Sequence, residues 1–300
     1  MSLILVLLCY NFHGYYVNKA EGFLMKIGII GLGLMGGSLS LALRETYDDV
    51  EVIGLDHNDQ HCIEALKLGL VDKIVENIDD IKVVDQLYLS VPVDGIIAIL
   101  QELAPLPEQT TVIDLGSTKA RIVASVPAAI RSNFVAAHPM TGTEKFGPSA
   151  AIPDLYRGKA VVLCDLEESG VHQREEARRI FTDLGMKIFY MDAEAHDRHA
   201  ALISHMPHAV SYALANSVMG QEDPRAIIAL AGGGFRDMSR IAKSSPAMWR
   251  DVFEQNQTNL ITSIDRFQEE LDRCRTLVAE EKWEELYDWM EAANRLHEIL

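Results

Sequence analysis

One short stretch limits the fold more than any other. Residues 26–30 (KIGII) are apolar and strand-like, Gly31 to Gly37 (GLGLMGG) form a glycine-rich turn, and Ser38 to Arg44 resume with helical spacing. Gly31, Gly33 and Gly36 stand in G-x-G-x-x-G register, and a second strand candidate, residues 50–55 (VEVIGL), ends on Asp56. A strand that runs through such a turn into a helix, answered by an acid at the end of the next strand, opens a dinucleotide-binding sheet. Gly31 permits the tight turn, Gly33 lets the backbone approach a pyrophosphate, and Gly36 allows close packing of helix on sheet. The helix N-terminus then offers unpaired N–H groups to the anion.

The rest of the chain continues the alternation. A helix is expected from about Asn58 to Leu68. Strands are expected at 86–91 (QLYLSV) and 111–115 (TVIDL) with a helix at 94–103 between them, and further strands at 134–137, 159–164 (KAVVLC) and 186–190 (MKIFY). A polar-faced helix occupies about 171–184. Strands alternating with helices predict a parallel sheet covered on both faces. After about Ala193 no further strand pattern is found. Residues 193–219 carry helical periodicity, and residues 246–300 read as amphipathic helices rich in Glu, Leu, Trp and Arg. The expected fold class is α/β, a Rossmann-type doubly wound parallel sheet followed by an all-helical C-terminal domain. The expected division is an N-terminal extension at 1–24, a dinucleotide-binding domain at 25–190 and a helical domain at 191–300. Long amphipathic helices in such a position often bury their apolar stripe on another subunit, which predicts a homodimer.

Charge excludes some functions. Net charge is −17 over 300 residues, a surface that repels phosphate backbones and anionic lipid, so neither nucleic acid nor a membrane is an expected partner. An anionic small molecule remains open, provided local cations overcome the global field. Cys9, Cys62, Cys164 and Cys274 lie far apart without a CxxC pair, which reads as free thiols in a reducing, cytoplasmic setting and argues against a zinc site. Residues 3–8 (LILVLL) are apolar but lack a basic flank and a cleavage site, and no apolar run approaches the roughly 18 residues that span a bilayer.

The acid at the second strand end selects the dinucleotide. Asp56 accepts hydrogen bonds from a ribose 2′-OH and repels a 2′-phosphate, and no Arg or Lys follows within Asp56 to Gln60, so NAD is expected rather than NADP. His57 and His61 read as surface residues. The expected cofactor contacts are Gly31, Leu32, Gly33, Leu34, Met35, Gly36 and Asp56, with Ser90 and Pro92 from the SVPV strand end and Ser117 from DLGSTK. Ligands bind outside the carboxyl ends of parallel strands. The ends at Ser90, Asp114 and His138 should therefore face the same crevice.

Three further runs carry chemistry. In "FVAAHPMTGTEKFGP" (Phe134 to Pro148) an apolar strand stops on His138-Pro139 and opens into a polar loop. In "LISHMPHAVSYAL" (Leu202 to Leu214), Ser204 and His208 are i and i+4 on one helical face, and Pro207 should bend the helix. His196, His199, His205 and His208 could suggest metal pairs, but no carboxylate or thiolate completes a set and no metal is expected. In "GGGFRDMSRIAKSSPAMWRDVF" (Gly232 to Phe253), Arg236, Asp237 and Arg240 lie on neighbouring helical positions, and an Arg braced by an acid suits a carboxylate.

Taken together, GLGLMGGS, DLGSTK, AHPMTGTEK, SHMPH and GGGFRDMSRIA, with Trp249 beyond Arg240, resemble the prephenate dehydrogenase family, which includes arogenate and cyclohexadienyl dehydrogenases. The resemblance covers about residues 25–295. It implies oxidative decarboxylation of prephenate to 4-hydroxyphenylpyruvate with NAD, in tyrosine biosynthesis, or the arogenate reaction as the alternative. It implies that His138 is the catalytic hydrogen-bond acceptor, that Ser117 supports it and the nicotinamide, and that Arg240 anchors a substrate carboxylate. His208 resembles the histidine that favours prephenate over arogenate. Ser204, Thr143, Glu144, Gly233, Asp237 and Trp249 would line or brace the pocket. Thr141 departs from the alanine that many members carry. The β-hydroxyacid dehydrogenases share a GLGxMG start, but they would place a catalytic Lys on a helix of the second domain, and the helix at Leu202 to Leu214 carries none.

Overall fold

The structure, a computed structural model, describes residues 24–299. The expected N-terminal extension therefore lies, apart from Leu24, outside the described residues. β1 (Met25–Ile30) leads through the glycine turn into α1 (Leu34–Thr46), and β2 (Val50–Leu55) leads into α2 (Asp59–Lys67). A two-residue β3 (Lys73–Ile74) and a one-turn α3 (Ile78–Ile81) precede β4 (Gln86–Leu89), α4 (Val93–Glu102) and β5 (Thr111–Asp114). Then come α5 (Ala120–Ala124), β6 (Phe134–Pro139), β7 (Ala160–Cys164), α6 (Val171–Asp183) and β8 (Lys187–Met191). The strands form one eight-stranded sheet in the order β3-β2-β1-β4-β5-β6-β7-β8.

The apolar runs become central strands because both of their faces are covered. Along β6, Val135 and Ala137 enter one core with Leu39 and Leu43 of α1 and Ile180 and Phe181 of α6. Phe134 and Ala136 point the other way, into a second core with Ile96 and Leu100 of α4 and Ile122 of α5. Period-two alternation between two apolar layers is what a doubly covered sheet imposes.

Two expectations are corrected here. The sheet is not wholly parallel, because β6 and β7 run antiparallel. The intervening segment, 140–159, holds no crossover helix. It is tied back onto α1, with Ile152 N–H donating to Ser38 Oγ at 2.8 Å and Tyr156 O–H donating to the Met35 carbonyl at 2.8 Å. The chain thus re-enters the sheet from the end it left. The same pairing corrects the end of β6: the strand does not stop at Ala137, since His138 and Pro139 pair with Val162 and Val161.

After β8 the described chain is helical. Asp192 caps α7 (Ala193–Ala200), its side chain accepting from Ala195 N–H at 2.6 Å. A wide π turn, Ala201–His205, follows, closed by Met206 N–H on the Ala201 carbonyl, and α8 (Met206–Met219) begins at once. Pro207 has no N–H to return to the preceding turn, and the wide turn takes up the misfit in place of a simple bend. α9 (Pro224–Ala229), α10 (Gly233–Ser239), a short 3₁₀ turn at Arg240–Lys243, α11 (Pro246–Gln255), α12 (Gln257–Ala279), α13 (Trp283–Asn294) and α14 (Leu296–Ile299) complete it. The junction of α11 and α12 is pinned to the strand-end side of the sheet. Gln255 Oε1 accepts from Thr118 Oγ1 at 3.0 Å, and Asn256 Nδ2 donates to the Asp197 carbonyl at 2.7 Å. Among the described residues, no helix is long and apolar enough to cross a membrane.

Candidate active site

The glycine turn has the shape of a phosphate cradle. Gly31 has φ +96°, and a Cβ there would lie 2.4 Å from the Ser90 carbonyl oxygen, so the turn closes on the end of β4 only because this residue lacks a side chain. Gly33 differs. Its backbone is extended, and a Cβ there would meet nothing nearer than Gly147 N at 4.0 Å, which leaves open space above the N-terminus of α1. No side chain caps that helix, so its first-turn N–H groups are free for an anion. Asp56 is nearly enclosed and holds the turn from the side, accepting from Leu32 N–H at 2.8 Å and Asn58 N–H at 2.9 Å. His57 is exposed, as expected for a surface residue, whereas His61 is drawn onto Asp56, with Nδ1 3.3 Å from Oδ2. Pro92 sits at the N-terminus of α4, beside this crevice. These features fit a dinucleotide.

A substitution isolates the cradle. Gly33→Val fits its own backbone but fills the open space. Dinucleotide affinity measured by calorimetric titration is expected to fall at least about tenfold, equivalent to ~1.4 kcal/mol, with the melting temperature near that of the parent protein. Unchanged affinity would remove Gly33 from the cradle.

The ends of β5 and β6 carry a buried polar cluster. Lys119 and Asp114 form a fully buried ion pair. The Lys119 Nζ also donates to the Ala137 carbonyl at 2.8 Å, and Asp114 accepts from Gly116 N–H and Ala137 N–H, each at 3.1 Å. This knot fixes the turn that carries Ser117 against the strand that carries His138. His138 is half-buried, and its Nδ1 lies 2.8 Å from His196 Nε2; His196 Nδ1 lies 2.8 Å from Asp197 Oδ1. Burial, and then the neighbouring His196, Lys119 and His205, push the His138 imidazole well below the usual histidine value. Burial opposes ionisation of Asp197, but hydrogen bonds from His196, Ala120 N–H and Lys119 N–H outweigh it and hold the carboxyl below the usual range.

The helical region adds an aromatic stack. The His208 and Trp249 rings stack with centroids 3.5 Å apart and 23° between their planes, and His205 meets Trp249 edge-on at 6.0 Å. His208 Nδ1 lies 2.9 Å from the Ser204 carbonyl, the contact that joins those two expected residues. Burial, and then the nearby Arg240 guanidinium, lower the His208 pKa, while the Ser204 bond opposes the shift. Burial drives His205 down to about 4. His138 thus meets His196, Asn256 bridges Asp197 to His205, His205 and His208 meet Trp249, and Arg240 lies near His208. Arg240, Asp237 and Gly233 are exposed, as are Thr143 and Glu144 in the loop after β6. Among the described residues, no hydrogen bond ties these five to His138.

Comparison with known proteins decides what this crevice belongs to. Residues 39–190 match the family described as prephenate dehydrogenase, nucleotide-binding domain, and residues 192–292 match prephenate dehydrogenase, dimerization domain. The chain belongs to the prephenate dehydrogenase family. The family's prephenate dehydrogenase from Bacillus subtilis is 32% identical over 272 residues, 89% of this chain and 73% of that protein. A cyclohexadienyl dehydrogenase from Zymomonas mobilis is 30% identical over 274 residues, 90% of this chain and 94% of that protein. The crystal structure of prephenate dehydrogenase from A. aeolicus, in complex with hydroxyphenyl propionate and NAD+, superposes with a TM-score of 0.86 at 33% identity, covering 94% of this chain and 100% of that one.

Of the expected residues, Ser204, His208 and Trp249 lie in contact with one another, whereas the partners of His138 are His196 and, behind it, Asp197, neither of them expected from the sequence. The signal was the adjacent His-Asp pair in "EAHDRH", a ring and an acceptor in one helical turn. The sequence reading also passed over Asp114 and Lys119 as a pair, although both stand in DLGSTK.

Proposed function

We propose that this chain catalyses the NAD-dependent oxidative decarboxylation of prephenate to 4-hydroxyphenylpyruvate, a step of tyrosine biosynthesis. The observation that carries the reading is His138 near the carboxyl end of β6, its Nδ1 2.8 Å from His196 Nε2, at the same end of the sheet as the glycine turn after β1, with Arg240 near the His208–Trp249 stack. Bound NAD+ supplies the hydride acceptor. Gly31 to Gly36, including Leu32, Leu34 and Met35, hold its pyrophosphate, Asp56 its ribose hydroxyls, and Ser90, Pro92 and Ser117 line its nicotinamide end.

His138 accepts the proton of the substrate's ring hydroxyl as a carbonyl forms, and Ser117 supports it from the adjoining turn. Loss of the ring carboxylate as CO2 makes the ring aromatic and the step effectively irreversible. Arg240 takes a substrate carboxylate, a local cation on a chain of net charge −17. Ser204 and Trp249 hold His208, which is assigned the choice of prephenate over arogenate; Thr143, Glu144, Gly233 and Asp237 form the pocket's outer wall.

Arg240→Gln tests the anchor. The KM for prephenate is expected to rise about 10- to 100-fold, the loss of a charge-assisted bond of ~1.5–3 kcal/mol, with a smaller fall in kcat. A KM within twofold of the parent value would take Arg240 out of the site.

The working unit in this reading is a cytoplasmic homodimer joined through the C-terminal helices. Ile261 and Leu271 of α12 and Trp283 and Tyr287 of α13 are each more than half exposed, an apolar face suited to a second copy. Residues 192–292 also match a family region described as a dimerization domain.

A further inference from the structure

We infer that Asp197, acting through His196, fixes the tautomer of His138 so that Nε2 is the basic atom presented to the crevice. The inference rests on the reading of His138 as proton acceptor and adds two positioning residues to it.

Hydrogen-bond polarity is set from the buried end outward. Asp197 Oδ1 accepts from Lys119 N–H at 2.8 Å, and Oδ2 accepts from Ala120 N–H at 3.0 Å. Both oxygens accept, and the bonds from His196 and the two backbone N–H groups hold the carboxyl below the usual range, so it is a carboxylate with no proton to give. His196 Nδ1, 2.8 Å from Oδ1, must then be the nitrogen that carries hydrogen. With its one proton placed there, His196 Nε2 is a lone pair. His138 Nδ1, 2.8 Å from that lone pair, must be a donor, which leaves Nε2 of His138 as its lone pair.

The frame that holds this order is rigid. The His196 and Asp197 side chains are almost wholly enclosed. Asp197 is gripped at its carbonyl by Asn256 Nδ2, which also meets His205 Nδ1 at 3.1 Å. The His138 and His196 rings meet edge-on at 5.0 Å, so neither can turn without losing the contact. When a proton reaches His138 Nε2, the new charge is spread through Nδ1–H onto His196 and opposed by Asp197. A free imidazole in water prefers its proton on Nε2, the tautomer that would present a donor to the substrate and block the reaction.

Long-range proton–nitrogen correlation spectra of the [15N]histidine-labelled full-length protein, at mildly alkaline pH, read the tautomer directly. His138→Asn assigns the signal. The native protein is expected to show His138 protonated at Nδ1. His196→Leu is expected to move that proton to Nε2 and to lower kcat about 10- to 100-fold with NAD affinity unchanged, a fraction of the span that a general base supplies. His196→Gln, whose Oε1 can accept from Nδ1–H, is expected to keep the native tautomer and most of kcat. A native His138 protonated at Nε2, a tautomer indifferent to His196→Leu, or a Gln variant as slow as the Leu variant would each overturn the inference. The native spectrum decides even if a variant folds poorly. Absence of prephenate turnover in the native protein would instead defeat the underlying reading, and the spectrum would still stand or fall by itself.

Discussion

His138→Asn is expected to lower kcat for prephenate oxidation by about 10²–10⁴-fold, the span that a well-placed general base contributes. NAD affinity should stay within about twofold, because the cradle at Gly31 to Gly36 and Asp56 is built on other strands and shares no hydrogen bond with His138. Asparagine keeps a polar group of similar reach but cannot take up a proton near neutral pH. The native pH profile follows from the same residue. The base acts only when uncharged, and its pKa is pushed down by burial and by the cations and rings around it. The acid limb of kcat/KM, which reports the free enzyme, should therefore lie below the ordinary histidine value of about 6.5. The groups that face it are His196, His205 and Lys119, with Asp197 and Asp114 behind them. An asparagine variant that retains native turnover would remove His138 from the chemistry.

Lys119→Met is expected to cost stability on a scale that surface changes do not reach. It leaves the Asp114 carboxylate buried with no cation beside it, a loss of about 3–5 kcal/mol for a broken buried pair. Denaturant unfolding in the presence of saturating NAD and in its absence gives the number. The double variant Lys119→Met/Asp114→Asn should recover part of the loss, because the asparagine still accepts from Ala137 N–H but leaves no buried charge. A single variant within about 1 kcal/mol of the parent, or a double variant less stable than the single, would contradict the role given to the pair. The pair has a functional consequence too. Lys119 Nζ joins the Ser117 turn to the Ala137 carbonyl, one residue before His138, and its N–H holds Asp197. Turnover in this variant should fall along with stability.

The cofactor half of the molecule was legible because its physics is local. A glycine with positive φ, a helix that starts with no cap and an acid at the next strand end are all properties of a few consecutive residues. The segments around His138 and His208 were likewise singled out by their own residue types, and Trp249 by the family resemblance. What the sequence hid depends on where the chain goes between such segments. The antiparallel return of β7 is decided by residues 140–159, which bind back to α1 through Ser38 and Met35 and carry no periodic signal. His138 lies within the last two residues of β6, where it pairs with Val162 of β7. β3 is too short for alternation to register. The His138–His196 contact spans two segments 58 residues apart, and no local pattern states it.

The central claim is tested most directly by mixing the full-length protein with NAD and prephenate and following NADH absorbance, with arogenate and NADP in parallel reactions. The account predicts NADH formation with release of CO2, and a higher kcat/KM for prephenate with NAD than for arogenate or for NADP. No reduction of NAD by prephenate, or turnover confined to arogenate or to NADP, would contradict it.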